Sequence, residues 1–193
     1  EDGGGALSTV YLKAFNTEAG DHFGVTVAVD GDTVVVGACT EDSNETGTSG
    51  TGTDNSAISS GAAYVFVRSG GTWTQQAYLK ASNVGAGDMF GSAVAIDGDT
   101  IVVGAQAEPS SETGTAGTGA DNAAPGSGAV YVFVRSGGTW TEEAYLKAFN
   151  TDVGDNLGYS VAIDGDTIVA GAYMESSSET GTTGSGADNS APG

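Results

Sequence analysis

Basic residues are scarce in this chain: five Lys plus Arg stand against 25 Asp plus Glu among 193 residues, a formal charge of −20. A surface of that sign repels nucleic acid and anionic membranes, so neither is expected as a partner. There is one His, His22, and one Cys, Cys39. A lone Cys excludes a disulfide framework within the chain, and a lone His leaves a nucleophilic triad short of candidate bases. No apolar run approaches the roughly 18–20 residues that span a bilayer, so no membrane insertion is expected. The chain opens on Glu1 with no charged and apolar leader. Any export signal is therefore expected to have been removed or to lie outside these residues.

Glycine, in contrast, is abundant: 33 Gly with only 3 Pro, at 38% hydrophobic residues, points to short strands and many turns. The arrangement of those residues is periodic. Tyr11-Leu12-Lys13-Ala14 returns as Tyr78-Leu79-Lys80-Ala81 and as Tyr145-Leu146-Lys147-Ala148, each time 67 positions on. A repeat this regular makes the chain an array of like units that bury their apolar faces against one another. It also strips the rare residues of catalytic interest. His22 is matched by Met89 and Asn156, and Cys39 by Gln106 and Tyr173.

Four strand-like segments recur in each unit. The first is Val25–Val29, matched by Ser92–Ile96 and Tyr159–Ile163, with Val27, Val94 and Val161 sharing a face with Val29, Ile96 and Ile163 at the two-residue period of a strand. Asp-Gly-Asp-Thr follows at 30–33, 97–100 and 164–167, a strong hairpin signal because Gly accepts the φ a tight turn needs. The second strand, Val34–Ala38 or Ile101–Ala105, is apolar on both faces, which suits a sheet stacked between others. The third is Tyr64–Val67 or Tyr131–Val134, and a Ser-Gly-Gly turn leads to a mixed, half-exposed fourth, Trp73–Ala81 or Trp140–Ala148. The expected fold is all-β: four-stranded antiparallel propeller-type blades in about three 67-residue repeats, with the ring not closed within this chain.

Phe23-Gly24, Phe90-Gly91 and Leu157-Gly158 precede the first strand, Val36-Gly37-Ala38, Val103-Gly104-Ala105 and Ala170-Gly171-Ala172 end the second, and Gly128-Ala129-Val130-Tyr131 opens a third. In order and spacing this resembles the FG-GAP repeat of integrin α-subunit propellers and of many bacterial surface proteins. The resemblance implies an extracellular or cell-surface protein. Integrin-type repeats often carry an acidic calcium loop between the first two strands; here that place holds only the short Asp-Gly-Asp-Thr turn, so that site does not carry over.

Oxygen ligands recur elsewhere, in the long Gly, Ser and Thr-rich segment between the second and third strands. Glu41, Glu108 and Glu175 match, as do Glu45, Glu112 and Glu179, and Asp54, Asp121 and Asp188, the last set followed by Asn55, Asn122 and Asn189. Three carboxylates and an amide per loop are candidate calcium ligands, calcium taking about 6–8 oxygens. The alternative is turn chemistry, with Asx turns and solvated carboxylates. No other cofactor is expected, and no enzyme.

The phase of the ends yields a further expectation. Three full repeats would need 201 positions, eight more than the 193 present, and the shortfall corresponds to the third strand Ser127–Val134. The chain then divides into an orphan outer strand and linker (1–22, with the strand at 6–14), repeats at 23–89 and 90–156, and a partial repeat at 157–193. Unpaired edges invite other chains. Three functions follow: a structural or adhesive module that self-associates through its open ends or joins further blades; a propeller that binds a glycan or surface protein through its acidic loops; or an accessory propeller of a larger surface enzyme.

Overall fold

The structure, a computed structural model, describes residues 9–180, 182, 184–186, 188, 190 and 191. Ten strands form among them: β1 (Thr26–Asp30), β2 (Thr33–Ala38), β3 (Ala62–Ser69), β4 (Thr72–Leu79), β5 (Phe90–Asp97), β6 (Thr100–Ala105), β7 (Ala129–Ser136), β8 (Thr139–Leu146), β9 (Leu157–Asp164) and β10 (Thr167–Ala172). They make two complete antiparallel meanders, β1-β2-β3-β4 and β5-β6-β7-β8, and a two-stranded third sheet of β9 and β10. The all-β blade architecture read from the repeat is the observed one.

Local chemistry sets each hairpin. Gly31, Gly98 and Gly165 take φ of 53°, 55° and 57° between the paired strands, and Gly70-Gly71 takes φ of 56° and 81° between β3 and β4. In the Gly70-Gly71 loop the two positive φ angles give the primed turn whose twist matches that of paired strands. A β-bulge opposite Val65 and Phe66 leaves Gln76 as an extra residue of β4, and a bulge opposite Val132 and Phe133 does the same for Glu143 of β8.

The sheets stack face to face, with β1 against β5 and β5 against β9. One core lies between the first two sheets, joining Val35, Val65 and Leu79 of the first to Phe90, Val103 and Tyr131 of the second. A second core, around Val36, Tyr64, Phe66 and Tyr78, lies on the opposite face of the first sheet. Leu12 and Ala14 pack there, 67 positions before Leu79 and Ala81. Residues 9–14 nevertheless form no strand, contrary to the orphan strand expected at 6–14, whose first three positions lie outside the described residues. The described residues place no ladder partner beside this stretch, which is held by its apolar side chains and, at its end, by the Thr17 hydroxyl on the Ala14 carbonyl.

Gly37 and Gly104 of the repeat motif sit at sheet contacts. A Cβ on Gly37 would lie 2.1 Å from the Gly91 oxygen, and one on Gly104 would lie 2.0 Å from that of Gly158. These backbones approach too closely for any side chain.

Candidate functional site

In the first two long loops the first Glu is positioned by a lysine that directly follows β4 or β8. β4 ends at Leu79, and the next residue, Lys80, turns its ammonium into the loop, donating to Glu41 Oε2 at 3.1 Å, Ser60 Oγ at 2.8 Å and the Gly61 carbonyl at 2.7 Å. Lys147 repeats this on Glu108 at 2.9 Å, Ser127 and Gly128. Lys80 and Glu41 are 1% and 2% exposed at their side chains, Lys147 and Glu108 1% and 0%. All three ammonium protons are thus placed, which is the condition for burying such a pair. Burial lowers the pKa of both lysines from the ordinary value, and the carboxylates offset part of that shift.

The second carboxylate oxygen is taken as well. Asn16 Nδ2 donates to Glu41 Oε1 at 3.2 Å and to the Gly52 carbonyl, while its own oxygen accepts the Tyr64 hydroxyl. Asn83 does this for Glu108, Gly119 and Tyr131. In the third unit Asn150 bonds Glu175 at 3.1 Å and the Gly186 carbonyl. Each loop is therefore bound to the linker that leads into its own unit.

The other candidate ligands serve as internal acceptors. Glu45 accepts the Gly52 N–H and the Thr51 hydroxyl, Glu112 the Thr118 and Gly119 N–H groups, and Glu179 the Gly186 N–H and the Ser185 hydroxyl. Asp121 accepts the Ser111 and Ala123 N–H groups, which hold its carboxyl down at about 2. Hydrogen bonds lower Asp54, chiefly from the Ser56 hydroxyl, and Asp188, chiefly from that of Ser178. Asn189 lies outside the described residues. Among the described residues no three His, Cys, Asp or Glu side chains are grouped as a metal ion would require.

Asp88 is a different case. It caps a turn by accepting the Gly85 N–H at 2.8 Å, and burial raises its pKa to about 6. Asp21 and Asp155 make the equivalent turns with Glu18 and Asp152. Neither rare residue is set up for catalysis: burial raises the Cys39 thiol, and His22 takes a left-handed φ of 53° shared by Met89 and Asn156 at 59° and 58°.

The pattern of the FG-GAP repeat family matches residues 8–66, 73–133 and 140–187. The chain belongs to the FG-GAP repeat family. No curated protein matches it. In these FG-GAP units Gly37, Gly91, Gly104 and Gly158 are contact points between sheets, and the first two units each carry ties to the next. The Asp30 carboxylate accepts the Gly98 N–H at 2.8 Å, and Asp97 accepts that of Gly165 at 2.6 Å, linking successive hairpin turns. Phe90 and Leu157 donate their N–H groups to the Ser60 and Ser127 carbonyls at 2.9 Å. The bulged Gln76 accepts from Trp140 Nε1 at 2.8 Å and from Arg135.

Sequence reasoning used the lysines only as markers of the repeat. A signal was available: all five basic residues occupy two repeat positions, Lys13, Lys80 and Lys147 at one and Arg68 and Arg135 at the other. Arg68 and Arg135 pair with Asp32 and Asp99 at 2.6 Å, fastening the hairpin turn of each complete unit to its third strand.

The outer faces of the stack remain apolar. Val27 and Val29 are both 68% exposed on the leading face, where a groove of about 500 Å³ runs between them, Leu12, Val34 and Val36. On the trailing face Val169 is 61% exposed, although its repeat equivalents Val35 and Val102 are fully buried.

Proposed function

We infer that this FG-GAP chain is a non-enzymatic structural module of the cell surface that works by stacking further blades on its two apolar faces. The observation carrying this reading is the pair of faces itself. Residues that form the core between sheets inside the chain recur, exposed, at both ends of the stack. Burying one such side chain contributes about 1.5–3 kcal/mol, so a partner blade has a clear driving force. The surface location rests on the family likeness and on the acidic composition, which keeps a β-array soluble. The geometry favours lysine over calcium as the cation of the long loops, since Lys80 and Lys147 already sit on Glu41 and Glu108.

Binding of glycans or proteins through the acidic loops has less support, because their carboxylates are largely engaged by internal donors. Sedimentation velocity of the 193-residue chain tests the reading. The weight-average mass is expected to rise with protein concentration; a monomer at every concentration overturns self-association.

A further inference from the structure

The two buried lysines are nucleophiles that the stacking of blades does not use, and each shares its carboxylate with a primary amide. Glu41 accepts from Lys80 Nζ on Oε2 at 3.1 Å and from Asn16 Nδ2 on Oε1 at 3.2 Å. The amide oxygen of Asn16 in turn accepts the Tyr64 hydroxyl at 2.8 Å. The second unit repeats the set: Glu108 accepts from Lys147 at 2.9 Å and from Asn83 at 3.1 Å, and Asn83 accepts the Tyr131 hydroxyl at 2.6 Å. Neither set takes a residue from outside its own unit and the linker that leads into it.

Each set holds a nucleophile, a proton carrier, an electrophile and a donor to the electrophile's oxygen. The lysines, glutamates and tyrosines are buried, which keeps bulk water, the competing nucleophile, away. Asn16 and Asn83 are half-buried, which leaves a small product a way out. Burial favours the neutral amine at both lysines, and moving one proton from lysine to glutamate removes two charges from the interior. A hydroxyl on the amide oxygen stabilises the charge that develops there when the carbonyl is attacked. One donor at each site has no task in the ion-paired arrangement. The Tyr78 and Tyr145 hydroxyls are buried without a hydrogen-bond partner among the described residues, facing Glu41 and Glu108.

We propose that Lys80 forms an isopeptide bond with Asn16, and Lys147 with Asn83, with Glu41 and Glu108 carrying the protons. The ion pair is the state before reaction. Glu41 takes a proton from the Lys80 ammonium, and the freed amine leaves its Ser60 and Gly61 acceptors. Its electron pair attacks Asn16 Cγ while the Tyr64 hydroxyl holds the oxyanion. Glu41 gives its proton to Nδ2, the Cγ–Nδ2 bond breaks with its electrons on nitrogen, and ammonia departs. A second Nζ proton passes to Glu41, leaving a neutral amide beside a neutral carboxylic acid. One amide replaces another, so the step needs no oxidant or cofactor. Holding the reactants together supplies what a bimolecular reaction of an unactivated amide lacks. Asn16 lies at the entry to its unit and Lys80 directly after its fourth strand, so each bond ties a complete blade from entry to exit.

The test is the intact mass of the full 193-residue chain under denaturing conditions. The chain is expected to be lighter than its sequence by two molecules of ammonia. Tandem mass spectrometry of a protease digest should find branched peptides joining Lys80 to Asn16 and Lys147 to Asn83. Lys80→Arg should lose the first bond only, and Lys80→Arg with Lys147→Arg should have the full sequence mass. Glu41→Gln keeps both reacting side chains and should also lose the first bond, with circular dichroism establishing that each variant is folded. A parent chain of full sequence mass overturns the proposal. So does a mass loss that survives both lysine replacements, which marks succinimide formation at an asparagine. A branched peptide in one unit alone upholds that bond and overturns the other, and a folded Glu41→Gln chain that still forms the first bond overturns the role of Glu41. None of these masses bears on the stacking of blades, so the two readings fail separately.

Discussion

Lys80 and Glu41 are oppositely charged, buried and 3.1 Å apart, and neither has water to fall back on. Removing one partner strands the other, at a cost of about 3–5 kcal/mol, whereas replacing both with apolar or neutral groups costs less. Lys80→Met should therefore destabilise the chain by about that amount in urea unfolding, and adding Glu41→Gln should restore part of the loss. A Lys80→Met effect below about 1 kcal/mol would place the pair among ordinary surface contacts. Asp88 gives a prediction of opposite character. Its folded pKa of about 6 lies above the ordinary carboxylate value, so between the two the folded chain binds more protons than the unfolded one. Its contribution to stability is present at low pH and falls as pH rises through that window. Asp88→Asn retains an oxygen for the Gly85 N–H and should flatten the loss between about pH 4 and 6, leaving the variant about 2–3 kcal/mol more stable than the parent at neutral pH. Urea midpoints across that range decide it, and an unchanged slope refutes it.

At the scale of the element, the motif glycines divide into two kinds that look alike in sequence. Gly91 and Gly24 occupy the same repeat position with φ of 84° and 95°. A Cβ on Gly91 would meet the Ala62 carbonyl at 2.2 Å, while one on Gly24 would meet nothing within 4 Å. Gly24→Ala should cost only the left-handed backbone term, about 1–2 kcal/mol. Gly91→Ala adds a collision with backbone that cannot give way, so its thermal unfolding should fall well below that of Gly24→Ala; equal losses would show that conformation alone keeps the glycine. The same comparison marks what a sequence can reveal. Strands, hairpin turns and repeat phase follow from local rules at Val27, Gly31 or Gly70, and they were legible. The Lys80–Glu41 pair joins residues 39 positions apart across a loop without periodicity, so its carboxylates read as calcium ligands as readily as ion-pair partners. The bulge that frees Gln76 for Trp140 has no signature in Thr72–Leu79 at all.

Across the whole molecule, two opposed terms decide whether blades from different copies meet. Each copy carries −20, so approaching copies repel over distances set by the Debye length, about 10 Å at 0.1 M salt. The apolar faces attract only at contact and are insensitive to dilute salt. The repulsion is summed over exposed carboxylates and is screened by added salt. Sodium chloride should therefore strengthen self-association between about 0.05 and 0.5 M, the reverse of a contact held by surface ion pairs. Calcium chloride at matched ionic strength separates the two accounts of the acidic loops. Loops already organised by Lys80 and Lys147 should give the same mass distribution and melting temperature in either salt, while calcium ligation at Glu41, Glu45 and Asp54 would raise the melting temperature in calcium alone.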